Sequence, residues 1–312
     1  MNKSIQFELW HECNNLCTMC FLGSENRTTS KETKIKSLKA AIKKSQTFKG
    51  DIIATIGGEF FQGQLADKEV HDLFYEYLTL IINRLNNKEI KVSWITATLT
   101  DKTPKDLIEF LNFVKNTWNG NGKLFVCTSY DTIGRFHIPE KELNWKENMF
   151  LIPTIDPRIS LNTTMILTND LIEKYLSNKI SFLEFTTTFN TGLMIKHPNS
   201  GPCSNLVDME KLLPGFVPER AKTIKFFKKL KLKEPFIFDT SVFNVNRRAD
   251  ECVKRYNDGY SYSDLRDKIN PNEYMIETEK NITMKCGHST LYQCYKDSDA
   301  CMKCDFLNIK EA

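Results

Sequence analysis

No stretch of the chain approaches the ~20 consecutive apolar residues that a membrane-spanning helix needs. The short apolar core of a secretion signal is missing too. Met1-Asn-Lys-Ser-Ile runs straight into a strand-like segment, so no membrane association and a cytoplasmic location are expected. Nor is there a strong excess of one charge. The 43 basic and 39 acidic residues leave a net charge of +4, which neither requires nor excludes a nucleic-acid partner. Internal repeats and low-complexity tracts are also absent. At 312 residues, the chain can bury one large core plus a smaller appendage.

Cysteine, by contrast, is plentiful. Ten in a cytoplasmic chain point to metal or redox chemistry rather than to disulfides. Three of them, Cys13, Cys17 and Cys20, follow the apolar run Ile5-Gln-Phe-Glu-Leu-Trp10, which reads as a strand. Polar Asn14, Asn15 and Thr18 separate them, so they do not form the core face of a helix or strand. Three thiolates in one short loop suit a single metal centre. Iron–sulfur clusters normally take four thiolates, so three would leave one iron open to another ligand.

With this spacing and placement the chain resembles the radical S-adenosylmethionine (radical SAM) enzymes, whose hallmark is Cys-x3-Cys-x2-Cys after the first strand of a partial α/β barrel. Met19 stands where that family usually has an aromatic residue. A second motif strengthens the resemblance. The β-branched run Asp51-Ile-Ile-Ala-Thr-Ile56 ends in Gly57-Gly58-Glu59. The family carries a similar Gly-Gly-Glu after its second strand, where it binds the amino group of the cofactor's methionine. Glycine lets backbone carbonyls approach a ligand closely, and Glu59 offers a charge opposite an ammonium.

The element order predicts an α/β fold, a partial (β/α)6 TIM-like barrel with a small C-terminal metal-binding extension. Helices are expected through Ile35, Leu38, Ala41 and Ile42, from Asp67 to Asn86, and from Pro104 through Trp118. Strands are expected at Ile90–Leu99, Lys123–Tyr130, Leu161–Thr168 and Ile180–Thr187. Strands alternating with helices imply parallel pairing, and sites in such barrels gather at the C-terminal strand ends. Residues 1–205 are read as the barrel domain and 206–312 as a helical region with a cysteine-rich module near 284–306.

By position, Ser129 and Asp131 at the end of the fourth strand resemble the family's ribose-binding residues. Arg158 is a lesser candidate for the cofactor carboxylate, and Glu8 and His11 read as polar strand-end residues. Cys127, Cys203 and Cys252 read as core or reactive singletons. An amphipathic helix follows Val217-Pro-Glu-Arg, with Ala221, Ile224, Phe227 and Leu230 as its apolar face. Its lysines form a solvated face or an acidic-partner stripe.

The far end holds a further constellation. Cys286, His288, Cys294, Cys301 and Cys304 fall within nineteen residues among polar neighbours such as Lys285, Lys296 and Asp297. This is a second metal site, structural zinc or an auxiliary 4Fe-4S cluster. A Cys/His mix suits zinc and an all-thiolate set suits iron–sulfur.

The resemblance implies a 4Fe-4S cluster on Cys13, Cys17 and Cys20, with S-adenosylmethionine on the open iron. Reductive cleavage of the cofactor would yield methionine and a 5′-deoxyadenosyl radical that abstracts hydrogen from a substrate. An electron donor such as flavodoxin or ferredoxin is expected. A C-terminal metal module favours a peptide or protein substrate, with a nucleotide or nucleic acid as the alternative. A reading of another class is a non-catalytic, zinc-stabilised nucleic-acid-binding protein. Deleting residues 283–312 separates the metals: elemental analysis is expected to show zinc lost and N-terminal iron kept, whereas loss of iron and sulfide would mark an auxiliary cluster.

Overall fold

Each strand of this chain is followed by a segment of helical periodicity, and the geometry that results is a parallel sheet wound in sequence order. The computed structural model describes residues 4–10, 12–15, 17, 28–196, 213–216, 218–230, 236–238, 274–277 and 283–284. The chain alternates β1 (Ser4–Glu8), α1 (Lys31–Thr47), β2 (Ile52–Ile56), α2 (Lys68–Asn86), β3 (Val92–Thr96) and α3 (Lys105–Thr117). It continues with β4 (Lys123–Tyr130), α4 (Pro139–Ile155), β5 (Ser160–Ile166), α5 (Asn169–Leu176), α6 (Phe182–Phe189) and β6 (Thr191–Lys196). Helix α7 (Arg220–Lys229) and strands β7 (Phe236–Phe238), β8 (Tyr274–Glu277) and β9 (Thr283–Met284) follow.

The strands lie in the order β7-β6-β5-β4-β3-β2-β1-β8-β9. All neighbours are parallel except β8 and β9. Consecutive order with right-handed crossovers puts successive helices side by side, and α2 packs against both α1 and α3, as α3 does against α4. The register aligns Glu8 with Ile56, Thr55 with Ile95, Thr96 with Cys127, and Tyr130 with Met165. The C-terminal ends of β1 to β4 therefore lie side by side.

Burial alternates along the strands. In β4, Leu124, Val126, Thr128 and Tyr130 are buried, while Phe125, Cys127 and Ser129 are only partly covered. β3 and β5 repeat the pattern, with Trp94, Thr96, Asn162 and Thr164 on the less covered positions. One face thus carries the helices. The other presents a mixed polar and apolar surface that leads toward the strand ends.

Four of the described helices start where the sequence supplies a side-chain cap. Ser30, Asp67, Thr168 and Ser181 each accept a backbone N–H of the following first turn. The core centres on Val70, Phe74, Tyr77, Ile81 and Leu85 of α2 and on Trp145, Met149 and Ile152 of α4. Trp145 is fully buried, its ring 5.3–5.8 Å from those of Tyr130, Phe136, Phe185 and Phe189, and its indole N–H donates to Thr128 Oγ1.

The expected strand Ile180–Thr187 is instead helix α6, and the sixth strand is Thr191–Lys196. Aromatic and β-branched residues suggest a strand there. Ser181 capping Glu184 at the start and Asn190 in a left-handed conformation (φ 48°) at the end close a helix. Helix α4 has no counterpart among the sequence-based expectations. Of the apolar face expected for α7, Leu230 is buried and Ala221 is exposed, Thr223 and Phe226 are buried besides, and the side chains of Ile224 and Phe227 lie outside the described residues. Among the described residues, no helix is long and apolar enough to cross a membrane. Truncating the ring at the centre of the aromatic cluster, Trp145→Ala, is expected to cost about 3–5 kcal/mol of stability in denaturant unfolding.

Candidate functional site

Parallel winding brings the loops after β1, β2, β3 and β4 to one edge. Among the residues singled out in the sequence, Cys13, Cys17, Gly57, Gly58, Glu59 and Asp131 fall on three of them, with Ser129 at the end of β4. The loop after β1 carries Cys13 and Cys17, both buried and neither in a disulfide. Cys20, Met19 and His11 lie outside the described residues, as does the side chain of Glu8.

The β1 and β2 loops are laced together by backbone bonds. Gly58 N–H donates to the Trp10 carbonyl (2.7 Å), Glu59 N–H to the Glu12 carbonyl (2.8 Å), and the Trp10 indole N–H to the Glu59 carbonyl (2.8 Å). The close approach explains the first glycine. Gly57 has φ +156°, and a Cβ there would sit 2.4 Å from the Trp10 carbonyl oxygen. Lys34 of α1 secures the same pair of loops from below. Its ammonium lies 2.7 Å from Glu12 Oε2, donates to the Gln64 carbonyl at 2.9 Å, and stands 5.4 Å from the centre of the Trp10 ring.

Glu59 is buried, and both its carboxyl oxygens are engaged by protein groups. Oε1 accepts the N–H groups of Phe60 (2.9 Å) and Phe61 (3.0 Å); Oε2 accepts the Thr98 N–H (2.7 Å) and the Thr98 hydroxyl. The sequence reading set Glu59 opposite a ligand's ammonium. Here it ties the β2 loop to the end of β3.

Thr98 and Thr100, just past β3, extend this network. Asn15, from within the cysteine loop, donates from Nδ2 to Thr98 Oγ1 (2.8 Å) and to Cys13 Sγ (3.5 Å), and accepts the Thr100 hydroxyl on Oδ1. Gln62 donates to Thr100 Oγ1 (2.9 Å) and Thr98 Oγ1 (3.3 Å). Leu99 between the threonines takes φ 60°, a costly conformation for its side chain. Asn148 of α4 holds it there by donating to the Leu99 and Asp101 carbonyls, both at 2.9 Å.

The β4 end supplies the positive charge. Arg135 is buried and interacts with the Asp131 carboxyl group, with the Cys17 thiol by a hydrogen bond, and with Cys13. Burial opposes its charge, but Asp131 and the two cysteines outweigh that and raise its pKa. Burial likewise pushes Asp131 up from the usual carboxylate range, against the pull of Arg135 and of the Arg135 and Gly134 N–H groups. The guanidinium also donates to the Ser129 carbonyl (3.2 Å) and Ser129 Oγ (3.3 Å). Lys141, at the start of α4, donates to the Asn15 carbonyl at 2.7 Å. Asp131 Oδ2, Thr132 Oγ1 and Arg135 Nε are buried without a hydrogen-bond partner, a concentration that folded proteins avoid unless a ligand or water completes it.

Arg158 is not part of this edge. It lies at the opposite, N-terminal end of β5, bound to Asp156 at 2.6 and 2.8 Å and to the Trp118 carbonyl at 2.6 Å. Its place between Pro157 and the fifth strand, as read from the sequence, is the one the structure shows, away from the C-terminal strand ends. Cys127 is in β4, where burial raises its thiol to about 12, so it is neutral at physiological pH rather than reactive. Of the α7 lysines, Lys222 pairs with Glu173 and Glu219, and Lys229 caps the end of α5 through the Tyr175 and Leu176 carbonyls. Cys203, Cys252, Cys286, His288, Cys294, Cys301 and Cys304 lie outside the described residues.

Asn15, Gln62, Thr98, Thr100, Arg135 and Lys141 were not legible as site residues. Only Asn15 carried a local signal, its place between two candidate ligands. Among the described residues, no three His, Cys, Asp or Glu side chains form a metal-holding group, and two of the three N-terminal cysteines are among them.

No family model matches this sequence, and no curated protein does. Among solved structures, native anSMEcpe with bound AdoMet and the Kp18Cys peptide is similar over 73% of this chain, with 16% identity and a TM-score of 0.49. This chain spans 58% of that one. The backbone constraint at the site is testable by itself. Gly57→Ala is expected to lower stability by about 2–3 kcal/mol in denaturant unfolding. Gly63→Ala, where φ is +88° but nothing lies within 4 Å of the added Cβ, is expected to cost less.

Proposed function

We propose that this chain is a radical SAM enzyme whose active site is the edge formed by the loops after β1 to β4. The observation that carries the reading is the surroundings of Cys13 and Cys17. Both thiols are buried, a guanidinium bonds to Cys17, and an amide N–H bonds to Cys13. Cationic and N–H donors beside buried sulfur favour thiolates, the form that ligates metal. Three polar atoms without partners sit beside them at the end of β4. The donor set and the unfilled polar positions both fit a cluster with a polar ligand on it.

In this reading Cys13, Cys17 and Cys20 hold a 4Fe-4S cluster, and Gly57, Gly58 and Glu59 form the turn beside which the amino group of S-adenosylmethionine binds. Ser129 and Asp131 are assigned to the ribose side. S-adenosylmethionine on such a cluster supplies a 5′-deoxyadenosyl radical able to remove a hydrogen atom from an unactivated carbon. The chain's own part is positional. Glu59 and Thr98 hold the β2 and β3 loops, Lys34 and Lys141 hold the cysteine loop, and Arg135 balances the negative charge of the thiolates. The half-covered sheet face around Trp94, Cys127, Asn162 and Thr164 is the surface on which a substrate lies. A peptide or protein is the favoured substrate class, on the strength of the C-terminal cysteines Cys286, Cys294, Cys301 and Cys304 as a second metal site.

Anaerobic reconstitution is expected to yield about four iron and four sulfide at the N-terminal site. With a low-potential reductant, S-adenosylmethionine is expected to be cleaved to methionine and 5′-deoxyadenosine, and Cys17→Ala to abolish this. Cleavage retained by Cys17→Ala overturns the proposal.

A further inference from the structure

Asn15 is a short polar side chain between two candidate ligands, yet it is 3% exposed and has both its amide nitrogen and its amide oxygen engaged. Its two N–H groups have three acceptors in reach: Thr98 Oγ1 at 2.8 Å, Gln62 Oε1 at 3.4 Å and Cys13 Sγ at 3.5 Å. Its oxygen accepts the Thr100 hydroxyl and, at 3.4 Å, Gln62 Nε2. Thr98 in turn donates its hydroxyl to Glu59 Oε2. The amide is therefore held on one side by the β3 end and aimed on the other at a cysteine sulfur. A structural role for the loop is already met by other bonds: Asn14 donates to the Gln62 carbonyl at 2.9 Å and Lys141 to the Asn15 carbonyl. The side-chain contact to sulfur is an addition to these.

An N–H donated to a ligating sulfur stabilises whichever redox state carries more negative charge, which for an iron–sulfur cluster is the reduced one. The strength of the effect depends on keeping the donor fixed. Fixation is what Thr98, Thr100 and Gln62 provide, all three from outside the cysteine loop.

We propose that the Asn15 amide sets the reduction potential of the cluster through its hydrogen bond to Cys13, with Thr98, Thr100 and Gln62 as the residues that position it. This rests on the reading of Cys13, Cys17 and Cys20 as cluster ligands and goes beyond it by assigning a residue that ligates nothing. It also gives the contact between the β1 and β3 loops a function: a shift of the β3 loop moves the amide, and with it the ease with which a low-potential one-electron donor reduces the cluster.

The test is a potentiometric titration of the anaerobically reconstituted full chain, followed by electron paramagnetic resonance of the reduced cluster, with iron and sulfide measured on each sample. Asn15→Leu keeps the volume and removes the donor. It is expected to retain iron and to lower the equilibrium constant for one-electron reduction about tenfold, a fall of about 59 mV. Asn15→Asp keeps the shape and the acceptor for Thr100 but sets a carboxyl oxygen against the sulfur, and is expected to fall further. It decides the matter if Asn15→Leu does not fold. A folded Asn15→Asp chain with wild-type iron and an unmoved potential overturns the proposal. So does a folded chain that has lost its iron, since Asn15 would then shape the loop rather than tune the cluster. A wild-type chain that takes up no cluster is a different result, and overturns the functional reading itself.

Discussion

The buried carboxyl group of Glu59 is the point on which the site depends. It gathers the N–H groups of Phe60, Phe61 and Thr98 and the Thr98 hydroxyl onto two oxygens. Hydrogen bonds to a charged group are worth about 1.5–3 kcal/mol each, and leaving such a group unpaired in the interior costs more. The β2 loop therefore cannot move without the β3 loop, and Trp10 and Glu12 bind both to the segment that carries the cysteines. Loops are ordinarily the most mobile parts of an α/β fold. These are coupled into one unit before any ligand arrives, the preorganisation that a reactive centre requires.

Electrostatics follows the same arrangement. Two buried thiols need positive charge or N–H donors if they are to ligate metal as thiolates; the charge comes from far along the chain, on Arg135 after β4, and the N–H from Asn15 inside the cysteine loop, fixed by the distant β3 end. Asp131 keeps the guanidinium from being an isolated buried cation. The two form a loose pair, 3.6 Å from Arg135 Nη2 to Asp131 Oδ2, and leave Asp131 Oδ2 and Arg135 Nε without hydrogen bonds. A buried pair satisfied only in part is costly, and a polar ligand bound beside it would relieve the cost.

Much of the fold was legible because its signals are local. The helices after Ser30 and from Asp67 are read from their apolar spacing and are there, and Lys123–Tyr130 reads as a strand from its composition and is one; the helix that Thr168 caps was not expected, since Thr168 reads as the end of a strand. The segment from Ser181 to Asn190 shows where such reading fails: strand-like composition competes with a capping pair and a left-handed terminator, and the caps prevail. Helix α4 was missed since Leu143 and Phe150 are exposed while Asn148 is buried, so its polarity does not follow helical period. Arg158 was legible as a residue before the fifth strand, and what only the structure adds is that Asp156 and the Trp118 carbonyl hold it there.

The sequence by itself determined the two motifs, Cys13 to Cys20 and Gly57 to Glu59, and the alternation of strand and helix that sends both to C-terminal strand ends. These depend on spacing and period, which any linear reading contains. Tertiary structure alone decided that Asn15 faces Cys13, that Glu59 is spent on Thr98, and that Arg135 lies against Cys17. The reason is distance along the chain: Glu59 and Thr98 are 39 residues apart, Thr100 and the Asn15 amide that it helps to aim are 85 apart, and Arg135 and Cys17 are further apart still, so they meet only because parallel register aligns four strand ends, and no local pattern records which side chains then face one another.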